Sequence, residues 1–327
     1  MRILYLRPGC RFKLRLFYYS FYKMLLAGVL STPYFVSFFS DRDIGVCFFA
    51  GWRYAGKPFM RRHFLSTCEM LKPDLIVWCH ADLVDANTLA QAKFISGATV
   101  CMVDCDYLDE DRPKSSVRRL DALKSVIDAA FFTTGGERLH KAREVFPASF
   151  FVPNPLDEAQ FSLSAQRDRP IDVGYVSSGR RGAMLDYLRT NGLDVKIRGG
   201  KGKQALYGMP FEQFLCSAKC SVVDSLYNAD MYSSDRIAQI FGAGAVAIVP
   251  RSVGLQKYIA DSDVVYFDEP SELPQKLKRL VKGDSWFERG QRGRDAYLDA
   301  FGSAKVANYI VAKSMAPSTS LGSFDAD

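Results

Sequence analysis

The sequence predicts an α/β fold made of two parallel-sheet domains, and three observations predict it. Short apolar runs alternate with helix-like segments along most of the chain, the pattern of strand–helix–strand units. The alternation breaks once, at 153–170 (PNPLDEAQFSLSAQRDRP), where three prolines and many polar residues show no period. Such a composition marks an interdomain connection. Finally, 327 residues are too many for one small core.

The strand candidates of the first half are RILYL (2–6), GVCFF (45–49), DLIVWC (74–79), ATVCMV (98–103), AAFF (129–132) and SFFV (149–152). Helix-like segments lie at 11–27, 59–71, 86–95, 116–127 and 137–145. A second series opens at IDVGYV (171–176) and continues through DVKIR (194–198), CSVVD (220–224), AVAIV (245–249) and VVYF (264–267). Two such series imply two Rossmann-like domains with parallel sheets facing a central cleft, although no sequence repeat relates them. The expected boundaries are 1–153, a linker at 154–170, a second domain at 171–314 and a tail at 315–327. The stretch from about Ser271 to Ser314 reads as helical, broken near Lys282-Gly283-Asp284, and these last helices could cross back. The tail lacks periodicity.

The segment SSDRIAQIFGAGAVAIVP (233–250) shows how local signals combine. A Ser-Asp start opens a helix with Ile237, Ile240 and Phe241 at helical spacing. Gly242-Ala243-Gly244 ends it, and a small apolar run leads to Pro250, as expected of a buried parallel strand.

The charge is +7, distributed as 21 Lys+Arg against 15 Asp+Glu over 1–153 and 22 against 21 over 154–327. The first forty residues hold no acid. The eight cysteines form no Cys-x-x-Cys pair and sit mostly among apolar residues, which points to a reducing cytoplasm without disulfides or structural zinc. No stretch reads as a transmembrane helix, since the longest uncharged run, Met24 to Ser40, is broken by Pro33. No signal peptide is expected, because charges interrupt the first apolar stretch. The basic, aromatic segment RFKLRLFYYSFYKML (11–25) suggests peripheral contact with an anionic membrane; its alternative is that the aromatics pack inward.

Ligands of doubly wound sheets bind outside the carboxyl ends of the strands. After IDVGYV, Ser177, Ser178 and Gly179 make a tight turn, and Arg180 and Arg181 open the next helix. Arginines there oppose the helix dipole unless an anion joins them, and a diphosphate suits guanidinium. The alternative is two solvated arginines. This is not the G-x-G-x-x-G fingerprint of dinucleotide sites. The loop GGKGK (199–203) reads as a solvated turn or a phosphate wrap. After CSVVD, Tyr227 and Tyr232 could flank a base or sugar and Asn228 and Asp230 could bond hydroxyls. Ser233, Ser234, Asp235, Arg236 and Gln239 then form either one wall of a phosphate-bearing site or an ordinary helix start. In the first half, His80 and Asp82 stand at a strand's carboxyl end, as general base and partner or as a hydrogen-bonded strand end. Asp104 and Asp106 end the next strand as acceptor-side or hinge contacts, with no metal expected.

In order, RGAMLDYL, DRIAQIFGAGAVAIV, a Gly-Leu helix at 254–261 and DVVYFDEPSELPQKLKRL resemble the C-terminal domain of GT-B glycosyltransferases, and are most similar to the CgeB-type (spore-maturation-like, group 1) family. Arg236, Gln239, Gly244, Asp268 and Glu272-Leu273 stand at that family's pattern positions. KPDLIVWCHADL, GATVCMVDCDYL, AAFFTTGG and FVPNPLDEAQF follow its upstream order, so the resemblance covers roughly 70–310. It implies transfer of a sugar from a nucleotide-sugar, such as a UDP- or GDP-sugar, to an acceptor, with no bound cofactor or metal and no nucleic acid partner. The donor would lie on the second domain, with Arg180 or Arg181 on its diphosphate and Gln239 at the ribose. Many retaining members carry two glutamates where this chain has Met231 and Gln239, which leaves open the stereochemistry, a non-catalytic binding role, or nucleotide-sugar epimerisation.

Overall fold

The computed structural model describes residues 1–7, 20–48, 55–109, 117–161, 163–177, 183–199, 206, 208–223, 231–232, 234–317 and 324. These group into two units, Met1–Pro153 with Ala304–Asp327, and Asn154–Ser303.

The first unit is built on β1 (Arg2–Arg7), β2 (Phe35–Ser40), β3 (Leu75–Trp78), β4 (Thr99–Asp104), β5 (Ala129–Phe132) and β6 (Ser149–Phe151). They pair in the order β2-β1-β3-β4-β5-β6, every pair parallel. Every residue of β3 and β5 is buried, as continuous apolar runs require when both faces of a sheet are covered. The intervening helices are α1 (Ser20–Leu30), α2 (Asp41–Phe48), α3 (Lys57–Leu71), α4 (Ala86–Ser96) and α5 (Gly136–Val145). Helix α4 shows its limits clearly: the Asp85 side chain accepts from the Thr88 N–H, and Gly97 ends it at φ 73°, where a Cβ would be unfavourable.

Two expectations change here. The run GVCFF lies largely inside helix α2, because Asp41 and Asp43 place acid in its first turn, where the macrodipole favours it. The strand lies just upstream, at Phe35–Ser40. It was hidden because it is an edge strand with Phe35 and Phe38 exposed, so its apolar residues follow no inside–outside alternation. The segment expected as helix at 116–127 forms 3-10 turns over Val117–Leu123. In α1, Phe21, Tyr22 and Met24 are buried, so the described part of the aromatic segment packs inward; residues 8–19 lie outside the described residues.

The second unit holds β7 (Ile171–Ser177), β8 (Val195–Gly199), β9 (Ala218–Val222), β10 (Val246–Pro250) and β11 (Val265–Phe267). Their order is β11-β10-β9-β7-β8, again all parallel. Its helices are α6 (Ala183–Thr190), α7 (Met209–Cys216), α8 (Asp235–Gly242), α9 (Leu273–Lys282) and α10 (Ser285–Phe301). Val173, Tyr175, Leu185, Leu188, Val246 and Ile248 join Leu273, Leu277, Trp286 and Phe287 in one core. Helix α11 (Ser303–Met315) follows, and from Ala304 onward the chain clusters with the first unit.

The expected connection at 154–170 is ordered around Arg169. Its guanidinium is buried and donates to the carbonyls of Gln166 (3.0 Å), Ala218 (2.9 Å), Ser164 (2.7 Å) and Ala243 (2.9 Å). The cysteines whose side chains are described are free and buried.

Candidate functional site

Numbered from each unit's first strand, both sheets share the order 2-1-3-4-5, with a sixth strand added in the first unit. In such sheets the crevice lies where the order reverses, beyond the carboxyl ends of the first and third strands. In the first unit those strands are β1 and β3. In the second they are β7 and β9; residues 178–182 and 224–230, which follow them in sequence, lie outside the described residues.

Strand β3 delivers His80 to this place. Its backbone is left-handed, at φ 47°, costly for a residue with a Cβ. The ring lies nearly parallel to Trp78, with centroids 6.1 Å apart, and 5.8 Å from Tyr22 of α1. His80 Nε2 is 3.0 Å from Asp104 Oδ1 and 3.7 Å from Asp106 Oδ2. Asp104, at the end of β4, is wholly buried, and the same Oδ1 accepts from the Asp106 N–H at 2.8 Å. Burial pulls the His80 pKa down, but Asp104 first, then Asp106 and Asp82, more than offset it and hold it at about 8.

Asp82, expected beside His80 as its partner, instead pairs with Arg42 of α2. Its neighbour Asp41 is buried and accepts from the Leu83 N–H at 2.9 Å. Burial raises the Asp41 carboxyl to about 7. Sequence reading put Asp104 on the acceptor side without linking it to His80. The signal lay in strand register: Trp78 pairs with Met102, so two residues further along the adjacent parallel strands come His80 and Asp104. One ligand atom each from His80, Asp104 and Asp106 lies within 4.8 Å of the others, so these side chains could also share a cation, where the sequence expectation was of none.

In the second unit, Ser234 caps α8 by accepting from the Arg236 N–H at 3.4 Å. The Arg236 guanidinium stands 6.0 Å from the Tyr175 ring centroid, at the carboxyl half of β7. Gln239 is buried and its amide donates to Asp235 Oδ2 at 3.4 Å, one turn earlier in α8. Met231 precedes them at φ 56°, its N–H donating to Ser252 O. Its sulfur packs on Gly254. Ser177 closes β7, while Ser178, Gly179, Arg180, Arg181, Tyr227, Asn228 and Ser233 lie outside the described residues.

Residues 180–312 match the family model described as glycosyl transferase-like. The comparison with curated protein sequences found no match. Among solved structures, Anabaena HepE in complex with UDP and glucose is 12% identical with a TM-score of 0.58, over 96% of this chain and 99% of that one. Sucrose-phosphate synthase from Thermosynechococcus elongatus is 13% identical with a TM-score of 0.58, over 98% and 100%. AviGT4, a glycosyltransferase involved in avilamycin A biosynthesis, is 12% identical with a TM-score of 0.58, over 96% and 97%. The fold is that of the GT-B glycosyltransferases. In the GT-B frame the family match takes in β8 to β11 together with α8, the helix that carries Arg236 and Gln239. The described helices include none long and apolar enough to cross a membrane.

Proposed function

We propose that this chain is a glycosyltransferase that moves a glycosyl group, most simply a hexosyl group, from a nucleotide-sugar to a hydroxyl of an acceptor, without a bound metal. The observation that carries the reading is the glycosyl transferase-like match over 180–312, which takes in α8, the helix that carries Arg236 and Gln239. The solved complexes of HepE with UDP and with UDP-glucose support a nucleotide-sugar donor. In this reading the second unit holds the donor: Arg180 and Arg181 neutralise the departing diphosphate, and the start of α8 adds its dipole. Gln239, which can donate and accept, is placed to meet a ribose hydroxyl, with Ser177, Ser178, Gly179, Tyr227 and Asn228 around the nucleotide. The first unit supplies His80 as the proton acceptor, with Asp106 on the acceptor side. The CgeB-type assignment, a cytoplasmic location and contact with an anionic membrane belong to the same proposal.

A panel of UDP- and GDP-sugars, read by thermal shift and by release of nucleoside diphosphate, tests it. At least one donor should raise the melting temperature and be turned over when an acceptor is present. Replacing Arg180 and Arg181 together by Ala should weaken nucleotide binding by about 100-fold, the scale of two charge-assisted bonds. Unchanged affinity rejects the role of the arginines. Turnover of donor without any acceptor points to epimerisation instead.

A further inference from the structure

Resting on that proposed function, we infer that Arg7 and Arg42 form an anion subsite at the carboxyl end of β1, and that the acceptor carries a phosphate group held there.

Strand order brings the two guanidinium groups together. Strand β1 lies between β2 and β3, and its last residue, Arg7, is opposite Ser40 of β2. Two residues past Ser40, in the first turn of α2, Arg42 bonds Asp82, which follows β3. A side chain that starts beyond β2 and ends beyond β3 crosses the end of β1, where Arg7 stands. Asp41 makes the same crossing to the Leu83 N–H, at 2.9 Å. On the other flank the Cys79 N–H donates to Leu6 O at 3.0 Å, so the chain leaving β3 runs beside Arg7. Sheets of this order bind ligands at such strand ends.

The protein leaves donors of both arginines unused. Arg7 lies over Phe38, 5.7 Å from the ring centroid, and no carboxylate among the described residues pairs with it. Arg7 Nε and Arg42 Nε are both buried without an acceptor. A buried charged donor without a partner is costly, and neighbouring guanidinium groups repel each other unless an anion joins them. The carboxylates at this end are already engaged. Asp41 accepts from the backbone N–H groups of Arg42 and Leu83, Asp43 accepts from Ser40 Oγ at 2.7 Å, and Asp82 accepts from Arg42 Nη2. Asp82 is half exposed, so water weakens its hold on Arg42. A phosphate suits the remaining donors, because its oxygens accept several bonds at once and match the guanidinium fork. The first forty residues hold no acid, and the resulting positive field draws anions to this unit.

Inorganic phosphate is the first probe, read by thermal shift in the variant with Arg180 and Arg181 both replaced by Ala, which takes the donor's diphosphate site out of the readout. Phosphate should raise the melting temperature more than chloride does at equal ionic strength. Adding Arg7→Gln should weaken that response about 10-fold, the scale of one charge-assisted bond. The melting temperature without phosphate should stay in place, because Arg7 has no carboxylate partner to lose; a purely structural arginine would lower it. Arg7→Lys, which keeps the charge and loses the fork, should fall between the two. In the otherwise unaltered protein, Arg7→Gln should leave UDP and GDP binding unchanged.

Turnover then separates the sources of the phosphate. A soluble hexose phosphate and a hexose linked to a polyisoprenyl phosphate in phosphatidylcholine vesicles are each compared with their phosphate-free counterparts. The form that is used should exceed its counterpart in kcat/KM by about 10-fold or more, and Arg7→Gln should erase that margin by raising the acceptor KM.

No phosphate response beyond that of chloride, a response that Arg7→Gln leaves intact, or equal use of phosphate-free acceptors overturns the inference and leaves the proposed function standing. Stabilisation by a short DNA duplex but not by phosphate also overturns it. Failure of every donor to bind or turn over, while the phosphate response and its loss in Arg7→Gln are seen, overturns the proposed function instead.

Discussion

Arg169 carries a buried charge with four backbone carbonyls as its hydrogen-bond acceptors. Burial, the dominant effect, lowers its pKa to about 10. The carbonyls come from separate segments: Ser164 and Gln166 in the connection, Ala218 at the start of β9 and Ala243 at the end of α8. Exchanging Arg169 for Met keeps the bulk and takes this donor from all four, Ser164 O retaining the Gln291 amide at 2.8 Å. We expect a loss of about 3 kcal/mol or more, measured as a drop in the urea midpoint with unchanged slope. A change within about 0.5 kcal/mol would mean that water replaces the guanidinium. No motif in 153–170 announces this residue, because an arginine in a proline-rich polar stretch looks like any solvated one. The same limit applies to Asp104: its spacing from Asp106 was legible, but its partner lies 24 residues away in sequence.

At the scale of elements, several helix starts are written in local chemistry, and the Ser-Asp start of α8 was readable. Examples are Asp85 before α4, Ser234 before α8 and Glu269 with Glu272 in a capping box before α9. The glycines of α10 are less transparent. Gly290 and Gly293 cost helix propensity, yet both are buried. A Cβ on Gly290 would run into the carbonyl oxygen of Gly244, and one on Gly293 would lie 2.9 Å from Asp263 O. Helix α10 therefore approaches the start of β10 through backbone contact. Replacing Gly290 by Ala should destabilise the second unit by about 2 kcal/mol, despite the gain in propensity, and calorimetry should show a lowered melting temperature. An unchanged or raised value would mean that the helix shifts at no cost.

For the whole molecule, Ala304–Asp327 clusters with Met1–Pro153, so the chain visits the first unit twice. Val306, Ala307, Tyr309, Ile310 and Val311 of α11 are buried, and Tyr309 sets its ring against Phe131 of β5. Ending the chain after Gly302 should expose that face of the first unit and lower its unfolding transition. The second unit, closed by α10, should keep its own. Two calorimetric transitions, of which only one moves, is the expected result. A single unshifted transition would show that α11 adds nothing to the first unit.

Periodicity was enough to predict both parallel sheets and nearly all their strands, because a strand buried on two faces must be apolar throughout and an amphipathic helix repeats its apolar residues every three or four positions. Those constraints act over a few neighbouring residues, so they can be read along the chain. The pairing of His80 with Asp104, of Asp82 with Arg42, the carbonyl cage of Arg169 and the return of α11 to the first unit arise from strand order and packing. They join residues far apart in sequence, and no local pattern fixes which distant group a buried charge will meet.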